Sequence, residues 1–179
     1  MPTFSSSRVC AAIVAAFVAL PAPAATQEAG SALPGGASSL QETYQDWTLA
    51  CQSAPQIVCS ISQQQTQQNG QRLLAIELRK GADGGWPGNL VLPFGLLLDA
   101  GVTLQIDDGK PREPLRFSTC LPAGCLVPLS LDAKTIAALR AGTTLKIKAK
   151  SVDQKEAALS VSLKGLAAAL DRLEVLAGT

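Results

Sequence analysis

The residues with the clearest capacity for chemistry are four cysteines beyond the first 50 positions: Cys51, Cys59, Cys120 and Cys125. They could hold a zinc ion, or they could form two disulfides. The chain has no histidine, and its cysteine spacings do not give the C-x₂₋₄-C knuckle of zinc sites twice. An even number of cysteines in an exported chain is typical of a disulfide framework. We therefore predict two disulfides and no bound metal, with zinc as the alternative.

The other reactive residue types give little support to catalysis. Without histidine, the usual general base of serine and cysteine hydrolases is missing. Asp107 and Asp108 could form a carboxylate pair, but neighbouring residues of a strand point to opposite faces. We predict a protein that is not an enzyme and uses no cofactor. An enzyme acting on envelope glycans through carboxylates such as Asp99 or Asp107 is the alternative from another class.

Two features are candidates for contact with a partner. Lys146, Lys148 and Lys150 alternate along one predicted strand, so they should share an outward face that could contact phosphates or an acidic partner. Outward lysines also protect edge strands from aggregation. Trp86 lies among the glycines of residues 84–88, where an exposed ring could anchor a partner or tuck back onto the domain. We predict that these four residues form the partner surface.

The N-terminal residues predict export from the cell. Arg8 precedes the apolar run Val9–Leu20, and Ala22 and Ala24 form an A-x-A cleavage site. The run is well short of the ~20 apolar residues that a membrane-spanning helix needs. We therefore predict a signal peptide at residues 1–24, a periplasmic or secreted location, and no transmembrane protein.

The charge of the remaining chain argues against a polyanionic partner. Removing residues 1–24 takes away Arg8 alone and leaves 14 basic and 14 acidic residues. Nucleic-acid binding relies on clustered Lys and Arg, so we predict no nucleic-acid partner. Residues 25–43 are rich in Gly, Ser, Ala and Pro and predict a flexible linker. One domain, residues 44–179, is left.

Hydrophobic alternation with a period of two predicts antiparallel strands in this domain. A turn centred on Pro55 sets Cys51 opposite Cys59, at the separation that a disulfide needs. Asn69-Gly70, a strong hairpin signal, sets Ile61 opposite Leu78. The two turns give the same inward face: Trp47, Leu49, Cys51, Cys59, Ile61, Leu74, Ile76 and Leu78.

Later segments complete the predicted fold. Asp108-Gly109 should fold the strand of Val102, Leu104 and Ile106 over Leu115 and Phe117, with Val102 opposite Leu115. A disulfide between Cys120 and Cys125 would hold a tight turn. Asp132 and Gly142 are cap residues for a short helix, and an amphipathic helix closes the chain. The fold class is all-β: a β-sandwich of about eight short antiparallel strands with these two helices, a small barrel being second.

The chain also resembles the invasion-associated locus B family of exported bacterial proteins, from Trp47 to about Leu173. The resemblance rests on the Trp47-x₃-Cys51 start with Cys59, and on four further segments. These are Leu92–Gly95 leading to Ala100–Val102, Leu104–Asp107, Cys120-Leu-Pro-Ala-Gly-Cys125-Leu, and Leu163–Leu166. Leu166 stands where the family usually has Phe.

The resemblance implies a non-enzymatic interaction protein of the envelope or the exterior. A role in host-cell invasion or in envelope integrity would fit, and the partner would be another envelope or host protein, or an envelope component. The resemblance implies no catalytic residues. A periplasmic inhibitor of lysozyme or of a protease is the alternative among binding proteins, by analogy of fold alone.

Overall fold

The computed structural model describes residues 33–53 and 55–177. The predicted signal peptide and residues 25–32 of the predicted linker lie outside this part of the chain. The described elements are β1 (Ser39–Tyr44), β2 (Trp47–Gln52), β3 (Val58–Thr66), β4 (Arg72–Arg79), β5 (Trp86–Leu92), β6 (Thr103–Ile106), β7 (Thr119–Leu121), β8 (Gly124–Leu131), α1 (Ala133–Ala141), β9 (Thr144–Lys150), β10 (Glu156–Ser162) and α2 (Leu166–Ala177).

The strands form two antiparallel sheets. One sheet has seven strands in the order β1-β2-β3-β4-β5-β8-β7, and the other has three in the order β10-β9-β6. The mostly β, antiparallel class with two helices, one of them C-terminal, is confirmed. The described residues contain ten strands, against the eight or so expected; the short edge strands β1 and β7 are among those that have too little hydrophobic alternation to be recognised.

Part of the predicted linker is ordered, which corrects its boundary at residue 43. Residues 39–43 belong to β1, which pairs with β2 throughout, and Leu33 is buried in the core. Pairing with β2 satisfies the backbone groups on one edge of β1, and α2 packs against the strand. These tertiary contacts order a segment whose composition is typical of a linker.

Turn chemistry predicts most of the register correctly. Cys51 pairs with Cys59 and Ile61 with Leu78. Val102 pairs with Leu115, but only as an isolated bridge. The returning segment also bonds Leu104, whose oxygen accepts from the Arg112 N–H at 2.9 Å, but it forms an irregular segment in place of the predicted strand, while Leu104 and Ile106 pair with β9 on the other edge. Pro111 and Pro114 lack the N–H groups that a continuous second strand would need there.

One hydrophobic core joins the sheets and the helices. The two sheets are also linked by polar side chains of β2 and β3 that donate hydrogen bonds to backbone carbonyl groups of β10. Trp47 Nε1 and Gln63 Nε2 donate to the Ser162 oxygen at 3.0 and 2.9 Å, and Gln65 Nε2 donates to the Ser160 oxygen at 2.7 Å. These bonds satisfy backbone acceptors on an edge strand that would otherwise face a partly buried region.

A charged pair fastens α2 to the first edge strand. Arg172 donates to both carboxylate oxygens of Glu42, at 2.9 and 3.0 Å, and Tyr44 Oη donates to the same carboxylate at 2.6 Å. The Arg172 guanidinium, and secondly the Tyr44 hydroxyl, hold the pKa of Glu42 below its ordinary value of 4.5. Bidentate pairs of this kind are the stronger class of ion pair.

This pair predicts a loss of stability in acid. The pKa of Glu42 is lowered in the folded state. The ionised carboxylate therefore contributes fully to the free energy of unfolding above pH 4.5, and this contribution disappears as the pH falls through the lowered pKa. Urea unfolding at a series of pH values should therefore show a steeper acid decline for the wild type than for Glu42→Gln. Glu156→Gln removes an exposed carboxylate and is the control. Equal declines for the wild type and Glu42→Gln would contradict the assignment.

Candidate functional site

The three-stranded sheet presents the predicted lysines on its outer face. β9 is its central strand, and its alternate residues Leu145, Ile147 and Ala149 are buried in the core. Lys146, Lys148 and Lys150 therefore point away from the core. Lys146 and Lys148 are partly buried, whereas Lys150 is exposed.

The three lysines differ in their ion pairs. Lys146 Nζ lies 2.7 Å from a carboxylate oxygen of Asp108, and Lys148 Nζ lies 3.7 Å from one of Glu156. Among the described residues Lys150 has no acidic partner within salt-bridge distance. The face that carries the three lysines of β9 is therefore less cationic than the sequence suggests, because strand pairing brings acids from neighbouring segments onto the same face.

Two hollows that meet at Pro111 extend this face into a larger basic surface. The first, of about 410 Å³, is lined by Thr103, Lys148, Lys150 and Glu156, among others. The second, of about 560 Å³, is lined by residues 110–113, Leu115 and Lys134. We call this the basic surface and define it by its cations: Lys110, Arg112, Lys134, Lys148 and Lys150.

Three of these cations had not been predicted. Lys110 and Arg112 follow the Asp-Gly turn, and Lys134 lies in the first turn of α1. They lie outside β9, and the tertiary fold brings them to a hollow that adjoins the hollow of Lys148 and Lys150 at Pro111. Lys110 and Arg112 flank Pro111 directly after the Asp108-Gly109 turn, which must be exposed, and this pair could have indicated a basic surface.

The start of α1 is fastened to the basic surface by hydrogen bonds. Asp132 caps the helix by accepting from the Thr135 backbone N–H at 2.8 Å, as predicted. The Thr135 hydroxyl also donates to Asp132, and the Arg112 guanidinium contacts the same hydroxyl. The Thr135 hydroxyl, followed by its N–H, lowers the pKa of the Asp132 carboxyl. Arg112 is thus partly engaged in structure, whereas Lys110 and Lys134 have no ion pair within the described residues.

Trp86 does not belong to this surface. Its side chain is only 2% exposed and it opens β5, paired with Leu131. The preceding glycines form a tight turn in which the Gly81 N–H donates to the Gly85 oxygen at 2.9 Å. Lys80 Nζ covers the ring at 4.7 Å from its centroid. Of the two positions considered for the ring, the structure shows it packed back onto the domain, because the strand begins at the tryptophan and turns its ring inward, so Trp86 does not belong to an exposed partner surface.

The acids considered for catalysis have structural partners or lie apart. Asp107 accepts from the Thr143 hydroxyl at 2.6 Å and from the Thr144 N–H at 2.9 Å. The Thr143 hydroxyl, then the Thr144 N–H, lower the pKa of the Asp107 carboxyl. Asp99 lies in the turn before β6, and Asp107 directly follows that strand. Within the described residues, no group of three or more Cys, Asp or Glu is arranged to hold a metal ion.

Both predicted cysteine pairs are bonded in the structure. Cys51 and Cys59 join β2 to β3 across directly paired positions. Cys120 and Cys125 join β7 to β8 around the two-residue turn Pro122-Ala123. Gly124, with φ of 133°, lies so close to β5 that a Cβ would be 2.6 Å from the Leu92 oxygen. The second bridge therefore holds a turn packed against the neighbouring strand.

A family model and individual proteins that resemble this chain carry the same family name. The family model described as invasion associated locus B (IalB) protein matches residues 47–174. An invasion protein B homolog of Brucella abortus (strain 2308) is 50% identical over 149 residues, which are 82% of this chain and 86% of the relative. Invasion protein B of Bartonella bacilliformis is 37% identical over 167 residues, 90% of this chain and 89% of the relative.

A solved structure extends the likeness to the fold. The crystal structure of invasion associated protein B from Bartonella henselae superposes with a TM-score of 0.74 at 36% identity, covering 78% of this chain and 99% of that one. In the part of the chain that the structure describes, neither helix has the length and apolar character to cross a membrane. The family match, the curated relatives and the shared fold agree, and the chain belongs to the invasion-associated locus B family.

Proposed function

We propose that this protein is exported and acts by binding an acidic partner at its basic surface, without carrying out a reaction. The partner would be a protein or another component of the bacterial envelope or of a host, and binding would support invasion or envelope integrity. The names of the relatives, which refer to invasion, support the first of these roles. The two disulfides support export, because such bonds persist in the oxidising periplasm and exterior.

The observation that carries this proposal is the gathering of five cations around Pro111. Two adjoining hollows hold them, and the acids that line the same hollows are Glu113 and Glu156. Lys110, Lys134 and Lys150 have no acidic partner within the described residues, so their charges are available to a ligand. A concentration of one sign of charge speeds association with a partner of the opposite sign and disfavours wrong partners.

Binding fits this geometry better than catalysis does. General acid–base chemistry needs ionisable groups within reach of one reacting bond. The Asp107 carboxylate is occupied by three donors from Thr143 and Thr144, and Asp99 precedes β6 whereas Asp107 follows it. Lysines on a rigid strand can instead present fixed positive charge to a complementary surface.

Charge reversal in each hollow should test the proposal. The mature wild-type chain and the Lys134→Glu/Lys148→Glu variant would be immobilised and exposed to envelope extract at low and moderate salt. We expect the variant to retain about tenfold less of the captured material, because two attractive contacts become repulsive. Capture by the wild type should also decrease as salt screens the charges.

The matched control reverses two cations elsewhere. Arg79→Glu/Lys164→Glu changes the net charge by the same amount, with Arg79 on β4 of the other sheet and Lys164 between β10 and α2. Arg79, like Lys148, loses a surface ion pair in this change. The basic surface is not the binding site if both double variants capture as much material as the wild type, or if both capture equally less.

A further inference from the structure

One end of the molecule carries a cluster of exposed apolar side chains that the basic surface does not include. Among the described residues, Phe94, Leu98, Leu121 and Val152 are 57%, 43%, 49% and 65% exposed. They come from three loop regions: the segment after β5, the last residue of β7 at its turn to β8, and the β9–β10 turn. We call these four residues the apolar tip. Single exposed apolar residues are ordinary, but a cluster marks an interaction site.

Specific contacts hold the three loops together. The Val152 N–H donates to the Gly95 oxygen at 2.9 Å, and the Leu97 N–H donates to the Lys150 oxygen at 2.7 Å. Phe94 lines a hollow of about 170 Å³ together with Pro122 and Ala123 of the β7–β8 turn. The Cys120–Cys125 bond fastens that turn. The apolar side chains are therefore exposed on a fixed backbone, and their exposure does not come from a loose loop.

Cations without acidic partners surround the apolar tip. Arg72 lines the same hollow as Phe94 and donates to the Ala123 oxygen at 3.4 Å. Arg116 lines a hollow with Leu98 on the other side, and among the described residues that line it the acid is Asp99. The backbone oxygen of Lys150 accepts from the Leu97 N–H, next to Leu98. Within the described residues none of these three cations has an ion pair, whereas Asp153 beside Val152 is engaged by Ser151 and by Lys155 at 3.0 Å.

We propose that the apolar tip docks this protein on the surface of an anionic lipid bilayer. Apolar side chains would enter the boundary between headgroups and acyl chains, and Arg72, Arg116 and Lys150 would contact lipid phosphates. Bilayer interfaces favour this combination of apolar residues with surrounding Lys and Arg. A neutral apolar groove of a protein would offer apolar contacts but no anionic groups for Arg72, Arg116 and Lys150, whereas an anionic bilayer offers both. The inference goes beyond the proposed function: it shares Lys150 with the basic surface, but the apolar tip, Arg72 and Arg116 line neither of that surface's two hollows.

Vesicle sedimentation of the mature chain tests the inference. We expect the wild type to sediment with vesicles of phosphatidylcholine and phosphatidylglycerol and to stay in the supernatant with phosphatidylcholine alone. Phe94→Ser and Val152→Ser should each weaken partition by about tenfold, the loss that corresponds to one buried apolar side chain. Arg72→Gln/Arg116→Gln should weaken binding to the anionic vesicles as well.

The chain supplies a matched control for the same chemical change. Val58, 54% exposed, lies at the opposite end of β3 from the loops of the apolar tip. Val58→Ser should leave partition unchanged, and circular dichroism should show that all variants fold. The inference is overturned if the wild type does not sediment with anionic vesicles, even where tip variants impair capture of a protein. It is equally overturned if Val58→Ser weakens partition as much as Val152→Ser does.

Discussion

The Gly165→Ala variant is expected to lose about 3–5 kcal/mol of its free energy of unfolding. Gly165 precedes α2 with φ of 84°, and a Cβ at this position would lie 1.9 Å from the Tyr44 carbonyl oxygen. Tyr44 ends β1 at the tight turn to β2, so the obstacle is backbone and not a side chain that can rotate. Adding one methyl group must displace α2 from the sheet that it covers. Urea or thermal unfolding measures the effect.

Gly84 is the control that separates the clash from backbone strain. It has nearly the same conformation, with φ of 82°, but a Cβ there would have no neighbouring atom within 4 Å. Gly84→Ala should therefore cost only about 1–2 kcal/mol, the penalty of the left-handed conformation. Equal losses in the two variants would mean that the contact between Gly165 and Tyr44 does not determine the position of α2.

Removing the first disulfide is expected to cost about 2–3 kcal/mol. Cys51 and Cys59 are eight positions apart and both are buried beneath the sheet. The Cys51→Ala/Cys59→Ala variant gains chain entropy when unfolded, and it also loses sulfur contacts in the core. Urea unfolding of the oxidised wild type and of the variant gives the difference.

The second disulfide provides the comparison. Cys120 and Cys125 are five positions apart, and Cys120 is exposed. Cys120→Ala/Cys125→Ala should therefore lower the free energy of unfolding by less than the loss of the first bridge does. The second bridge closes a shorter loop, and its removal empties less of the core. A larger loss for the second pair would contradict this ranking of the two bridges.

The β2–β3 and β3–β4 hairpins could be predicted from sequence because independent local signals agree there. The turn at Pro55 sets Cys51 opposite Cys59, and the Asn69-Gly70 turn sets Ile61 opposite Leu78, so both select the same inward face. A shift of one residue would turn that whole face toward solvent. The Asp132 cap was predictable for a similar reason, since it depends on residues three positions apart.

Features that depend on distant contacts could not be predicted. Trp86 is buried because β5 begins at that residue, which the neighbouring glycines do not indicate. The pairing of Lys146 with Asp108 joins residues 38 positions apart. The apolar tip unites three loops whose exposed side chains look unremarkable one at a time. Pattern within a segment indicates its own faces, but not which other segments share a surface.

We propose that this chain is an exported β scaffold with two internal disulfides. Mass spectrometry of an unreduced digest, made from protein recovered from the cell envelope and the medium, tests it most directly. We predict an N-terminus directly after Ala24 or Ala25, peptides linked through Cys51–Cys59 and Cys120–Cys125, and no alkylated thiol among these four. Protein that keeps residues 1–24 and carries alkylated cysteines at these positions would contradict both the export and the disulfide framework.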